Sequence, residues 1–416
     1  MSAETVTIQR LGAQGDGIVN GTDGPVFVPF TLPGETVAIA RIKNQGTVMS
    51  ITTPSPDRQE PQCRHFGPDG VNGTCGGCTL QHADEATYRA FKRQLVVDAL
   101  KSKGLTPEVG ELVAAQPGER RRVTFAARKT EKDMLVGFNQ AESHHLVNIE
   151  ECPISSAAII ARLPAIKAIG AALANSAEAF RITVLQTLSG IDIAVDGIKK
   201  LSDQQRRKAI ETVLGLRGID RVSLNGEILV EPVKPMLDFG GVKVTPPPGS
   251  FTQATKSAED AMAELVVAHV GKSKRIADLF AGTGTFSLRL ARVGRVHAVE
   301  SEAKPLAALD HAARNTQGLK PVTIERRDLF RRPLMTAELK VYDAVVFDPP
   351  RAGAEFQCQE LARSTVKKIV AVSCNPLTLA RDLALLVEAG YRITSVTPID
   401  QFLWTSHVEV VATLEK

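Results

Sequence analysis

Aromatic residues are scarce in this chain. One Trp, three Tyr and fifteen Phe make up 5% of 416 residues, so a core must rest on Val, Leu, Ile and Ala. Long apolar runs are missing too. No charge-free stretch approaches the ~18 apolar residues that a membrane-spanning helix needs, and Arg162 and Lys167 interrupt the Ala-rich stretch 154–180. The opening MSAETVTIQR carries no apolar segment of the secretory kind. A strong charge of either sign is also lacking: 50 basic and 46 acidic residues leave a net +4, which alone names no partner. There is no internal repeat. These absences make a cytoplasmic enzyme or binding protein the expectation. Cysteines number six, and in such a chain they are expected as reduced thiols, metal ligands or catalysts rather than disulfides.

What is present divides the chain in three. Residues 1–54 read as a small all-β unit. VTIQRLG, GIVNGTDGPVFVPF, ETVAIARIK and TVMSITT alternate apolar and polar residues between Gly, Asn-Gly, Asp-Gly and Pro-Gly turn signals. A small barrel of the OB type fits, often a nucleic-acid platform and otherwise an inert cap. Residues 55–245 read as an α+β middle domain. A linker (TPSPDRQEPQC) leads to a Gly-rich loop with cysteines. Tyr88, Phe91, Leu95, Ala99 and Leu100 then recur at helical spacing. Alternating stretches follow at 120–149, 181–196 and 219–245, with a polar helix over 202–214. Residues 246–416 change pattern again. From 271 onward, strand, turn and helix alternate, including a helix over 286–293, which predicts a doubly wound, mostly parallel α/β sheet. Basic clusters at 119–132, 205–208 and 326–332 are either solvated faces or phosphate contacts.

The first strand of that third region opens DLFAGTGTFSLRLA (278–291). Gly282 and Gly284 suit a dinucleotide-type turn, but Phe286-Ser287 follows where a third glycine would be, so the grip on a pyrophosphate is weakened. Acids stand at successive strand ends instead: Glu300, Asp328 and Asp348. Each alone is a cap or a surface carboxylate. In register, they suit a cationic nucleoside ligand and repel phosphates. S-adenosylmethionine meets that description better than NAD(P).

Cys374 follows the fifth strand, in SCNPLT. Asn375 is a plausible N-cap and Pro376 a first helical residue. The partial positive charge of that helix end favours a thiolate; the alternative is a small buried space-filler. Glu409, in HVEVV, is either a solvent-facing strand residue or a base near the sheet's active edge. A thiolate, a methyl donor and a base are what methylation at carbon 5 of uracil requires.

GSFTQAT (249–255), DLFAGTGTFSL, HAVE, RRDLF, FDPPRAG, VSCNPLTLARDL and HVEVV occur in one order. Through them nearly the whole chain resembles the S-adenosylmethionine-dependent RNA uracil-5-methyltransferases, especially those that modify 23S ribosomal RNA. The resemblance implies a Rossmann-like methyltransferase sheet, with an RNA-binding TRAM module at residues 1–54. It implies Cys374 as nucleophile and Glu409 as base. It places Gln253, Phe280, Glu300, Asp328 and Asp348 at the donor, with Thr285 nearby, where the family often has asparagine. Ala281 replaces a common cysteine.

Cys63, Cys75, Cys78 and Cys152 resemble the family's [4Fe–4S] ligands. Eleven residues separate the first two, against a usual five, and GPDGVNG reads as an insertion. From spacing alone, zinc or free thiols compete. Cys358 reads as packing. RRRVTFAARK (120–129), the barrel and the cysteine loop are expected to form a basic RNA-tracking surface, with the target base leaving its stack. The rival readings are a transfer-RNA uracil-5-methyltransferase, a cytosine-5 or amino-group methyltransferase, and a non-catalytic RNA-binding iron–sulfur protein.

Overall fold

The structure, a computed structural model, describes residues 2–21, 24–141 and 143–416. The Asp-Gly turn signal at 23–24 lies partly outside them. Among the described residues, the first sheet has six strands between Ser2 and Thr53. Its alternating residues Ile8, Val26, Val28, Val37 and Ile39 meet in one small core. Gly17 is required there, because a Cβ would lie 2.1 Å from Thr31 Oγ1.

The second sheet has seven strands between Arg122 and Val230. All its pairings are antiparallel except Ile191–Asp196 with Ile219–Leu224. A parallel neighbour needs a crossover, and the helix Asp203–Leu214 supplies it, started by a capping box of Ser202 and Gln205. The helix expected over 202–214 is therefore found.

The third sheet also has seven strands: Arg275–Leu279, Arg295–Glu300, Val322–Arg326, Ala344–Phe347, Lys368–Ser373, Arg392–Ile399 and Glu409–Glu415. Their spatial order is three, two, one, four, five, seven, six. The first five are parallel, and the seventh runs antiparallel to both its neighbours. The mostly parallel α/β sheet is as expected. Chain order reverses between the first and fourth strands, which pair directly. Ligands bind at such a switch point, beyond the carboxyl ends of the strands.

Three local features differ from the sequence reading. The helix after the glycine turn spans only Ser287–Leu290, against 286–293. The last strand is buried along almost its whole length, because helices cover both faces of the sheet. The helix Glu85–Lys101 lies in the middle segment of the chain, yet Val96, Ala99 and Leu100 pack into the core of the third sheet. No helix among the described residues is long and apolar enough to cross a membrane.

Candidate active site

The first strand ends at Leu279, and the chain must turn sharply there. Phe280 takes φ +61°, followed by Gly282 at +53° and Gly284 at +97°. Left-handed backbone is costly for an aromatic residue. At Gly284 a side chain is excluded by space as well, since a Cβ would sit 2.8 Å from Leu309 Cγ. Glu300 holds the turn: its Oε2 accepts the Gly282 N–H at 3.0 Å, and its Oε1 accepts the Ser301 and Glu302 N–H groups.

The turn forms one wall of a cavity of about 470 Å³. Every candidate catalytic and donor residue read from the sequence lines it: Cys374, Glu409, Gln253, Phe280, Thr285, Glu300, Asp328 and Asp348. The Phe330 ring lies 5.5 Å from that of Phe280. At the mouth Phe251 is 66% exposed, with the Arg122 guanidinium 5.7 Å above its ring.

The electrostatics are unusual. Burial pushes Asp348 up to about 7, against the N–H that Gln253 donates to it at 3.1 Å. Burial, then the Asp348 charge, pushes Glu409 up to about 8, against a 2.6 Å hydrogen bond from Gln401. Asp278, at the base of the turn, is pushed up to about 7 by burial; it accepts a hydrogen bond from Ser287, and its Oδ1 has no partner. The Cys374 thiol corrects one expectation. Asn375 does cap the helix, its Oδ1 accepting the Leu377 N–H at 3.1 Å, and Pro376 opens it. The thiol nevertheless stands at about 11, raised by burial and then by the Glu409 and Asp348 charges. Burial, with two nearby carboxylates, outweighs one helix end.

The expected basic surface also needs correction. Arg121 is buried, in an ion pair with Glu259 at 2.5 Å and a hydrogen bond to the Gln253 carbonyl at 3.2 Å. Arg120 lies over the Phe402 ring and Arg122 over Phe251. Of its basic residues only Arg128 and Lys129, at the far end, are exposed. Sequence reasoning missed this clamp, and it missed Gln401, which is 1% exposed and bonded to Glu409, Gln253 and the Ala254 N–H. No periodicity marks either, because all their partners except Glu409, eight residues from Gln401, lie 132 to 148 residues away.

Cys63, Cys75, Cys78 and Cys152 line a second cavity, of about 190 Å³. Cys75 Sγ accepts the Gly77 N–H at 3.4 Å and Cys152 Sγ the Ser155 hydroxyl at 3.2 Å. Among the described residues, no group of three or more His, Cys, Asp or Glu side chains is set to hold a metal ion. Cys358 is buried in the core of the third sheet. The two cavities share a neighbour. Phe402, Thr405 and His407, on the connection that leads to Glu409, line the cysteine cavity. The Thr79 and Leu80 N–H groups of the cysteine loop both donate to the Trp404 carbonyl, at 2.8 and 3.0 Å.

Comparison with known proteins follows the same lines. The family model described as tRNA (Uracil-5-)-methyltransferase matches residues 114–416. An RNA methyltransferase of Agrobacterium fabrum is 72% identical over the full length of both chains. The 23S rRNA (uracil(1939)-C(5))-methyltransferase RlmD of Hahella chejuensis is 31% identical, with 99% of this chain and 97% of that one covered. The crystal structure of the tRNA (uracil-54, C5)-methyltransferase of Pyrococcus abyssi, in complex with S-adenosyl-L-homocysteine, shares the fold at a TM-score of 0.76, with 24% identity and 99% of each chain covered.

Proposed function

The chain belongs to the RNA uracil-5-methyltransferase family and is an S-adenosylmethionine-dependent RNA methyltransferase; on that premise we propose that it methylates carbon 5 of a uridine in 23S ribosomal RNA through a covalent Cys374 adduct, with Glu409 as base. The observation that carries this reading is the common cavity of Cys374, Glu409 and the strand-end acids at the sheet's switch point.

Carbon 5 of uracil is a weak nucleophile. Cys374, as the thiolate, bonds through sulfur to carbon 6, and the electrons of the 5,6 double bond move toward the oxygen on carbon 4. Carbon 5 then bonds to the methyl carbon, whose former bond leaves as a lone pair on the donor sulfur. Glu409 takes the proton from carbon 5; that C–H pair restores the double bond, and the carbon 6–sulfur pair returns to Cys374 as thiolate.

S-adenosylmethionine supplies the methyl group and a positive charge. The residues fit such a guest: Glu409 is buried and Asp348 partly buried, with neutral side-chain hydrogen-bond donors only. A cation beside them relieves their mutual repulsion and draws the Cys374 thiol down toward ionisation. Phe280 and Phe330 offer flat surfaces to an adenine. Glu300 and Asp328 are assigned to the nucleoside, and Gln253 and Thr285 to neighbouring polar groups.

We also propose that Cys63, Cys75, Cys78 and Cys152 hold a [4Fe–4S] cluster. The four thiols line one cavity, and the hydrogen bonds to Cys75 and Cys152 suit coordinated sulfur. The cluster would cross-link the cysteine loop to residue 152. Iron and visible absorbance in anaerobically purified protein are expected; stoichiometric zinc would refute it. Residues 1–54 are assigned to RNA binding, as a TRAM-like module.

The 31% identity to RlmD favours ribosomal RNA over the transfer-RNA alternative. Mass-spectrometric mapping in a deletion strain is expected to show one 5-methyluridine lost from 23S RNA. Loss from transfer RNA instead would overturn the target, and loss from neither would overturn the reaction.

A further inference from the structure

The orientation of Gln401 follows from one backbone group. The Ala254 N–H, 2.9 Å away, only donates, so the amide oxygen of Gln401 faces it. That turns Gln401 Nε2 toward two acceptors, Glu409 Oε1 at 2.6 Å and Gln253 Oε1 at 2.9 Å. Gln253, its oxygen so engaged, presents its own Nε2 to Asp348 Oδ2. Donation therefore runs one way, from Ala254 outward to both carboxylates. One oxygen of Glu409 is fixed, and the other, Oε2, has no hydrogen-bond partner among the described residues.

The mount of Gln401 is itself anchored on both sides. Asp400 accepts hydrogen bonds from Lys92 Nζ and the Tyr88 hydroxyl, each at 2.6 Å, and the Phe402 carbonyl accepts one from Lys92 at 2.9 Å. All three side chains are buried. Rotating Gln401 away from Glu409 would break bonds that water does not replace.

We propose that Gln401 is a positioning residue for proton abstraction: its amide clamps Oε1 of Glu409 and leaves Oε2 as the atom that takes the proton from carbon 5. The inference rests on Glu409 being the base. Gln401 touches none of the reacting atoms and acts through Glu409. It also holds Gln253, which meets Asp348, so the clamp on Glu409 is read from adduct breakdown relative to adduct formation. Donor binding, attack by Cys374 and methyl transfer precede the need for the base, and only release of the methylated RNA requires it.

The test is a single-turnover comparison on unmodified 23S RNA transcript with radiolabelled methyl donor. Gln401→Met keeps the length and removes the donor. Adduct formation is expected within about threefold of the parent, while adduct breakdown slows about 10- to 100-fold, the loss of one hydrogen bond to a charged group. The methylated protein–RNA species should then accumulate on denaturing gels. Gln401→Glu keeps the acceptor for Ala254 but turns a carboxyl oxygen toward Glu409; it is expected to show the same selective slowing, and it serves if the first variant does not fold. Formation and breakdown slowed equally, or breakdown at the parental rate in folded variants, overturns the clamp. Glu409→Gln run alongside separates the two ideas. If it traps the adduct while neither Gln401 variant does, the base stands and the clamp falls. If it releases product at the parental rate, the base assignment fails and the clamp with it.

Discussion

Buried carboxylates in this chain come in two kinds. Glu259 lies between Arg121 and Arg289, at 2.5 and 2.7 Å, and Glu35 is gripped by Arg58 at 2.5 Å. Burial works against Glu35, but the Arg58 hydrogen bond and two backbone N–H groups hold it below the usual carboxylate range. In the cavity, Glu409 and Asp278 are almost as deeply buried and Asp348 partly so, yet their side-chain hydrogen bonds come from Gln401, Ser287 and Gln253, all neutral. The first kind fastens segments together: Arg121 joins the second sheet to the Gln253 backbone, and Arg289 reaches the Thr285 carbonyl in the glycine turn. The second kind is a standing electrostatic cost, about 1.4 kcal/mol for each unit by which a pKa is displaced. A cationic ligand offsets it. At these joints the protein supplies the counter-charge itself, and in the cavity it leaves that charge to a ligand.

The largest effect that sharpens this contrast comes from removing one acid of each kind. Glu259→Gln leaves two guanidinium groups facing a neutral amide, and a loss of about 3–5 kcal/mol is expected. Glu409→Gln removes an unpaired acid, so stability at pH 8 should hold or rise, although release of methylated RNA falls about 10²- to 10⁴-fold. Urea unfolding and single-turnover assays read the two. Equal destabilisation by both variants would break the comparison.

The pH dependence is the next largest. Asp278 and Asp348 stand at about 7 and Glu409 at about 8 in the folded chain, above the ordinary carboxylate values that apply when it is unfolded. Between those values the folded state holds more protons, so their contribution is fully present below about pH 4 and is lost as pH rises through 7 to 8. Thermal unfolding should show stability falling by a few kcal/mol from pH 5 to 9 on account of these groups, with saturating S-adenosylmethionine flattening the trend. A rise over that range in the ligand-free protein, matched by Asp348→Asn, would contradict the account.

The smallest effect is in ligand choice. At pH 8 the cationic S-adenosylmethionine should bind several-fold more tightly than neutral S-adenosylhomocysteine, given a unit charge beside partly screened carboxylates. At pH 6, with the acids protonated, calorimetry should find the preference reduced. A preference that ignores pH would show that the acids do not sense the sulfonium.

Much of the site was legible because a doubly wound sheet converts sequence position into location. Residues that follow parallel strands, such as Phe280, Asp348 and Cys374, must gather at one edge, and the cavity lining bears this out. What stayed hidden depends on long-range contact. The arginine run at 120–122 has the composition of a phosphate-binding face, yet Arg121 turns inward because Glu259, 138 residues on, sits beneath it. Glu409 begins a strand read as alternating, whose burial follows from helices packed on both faces. The helix-end argument for Cys374 was local and correct in geometry, but the thiol is raised by burial and then by Glu409 and Asp348, which only folding reveals.

The central claim is that Cys374 sulfur bonds to the pyrimidine ring. RNA transcribed with 5-fluorouridine tests it directly, because fluorine at carbon 5 cannot leave as a proton. Incubation with S-adenosylmethionine should give a stable, methylated protein–RNA adduct that maps to Cys374 by peptide mass spectrometry and is lost in Cys374→Ala. Continued methyl transfer to natural RNA by Cys374→Ala, with no adduct in the parent enzyme, would contradict it.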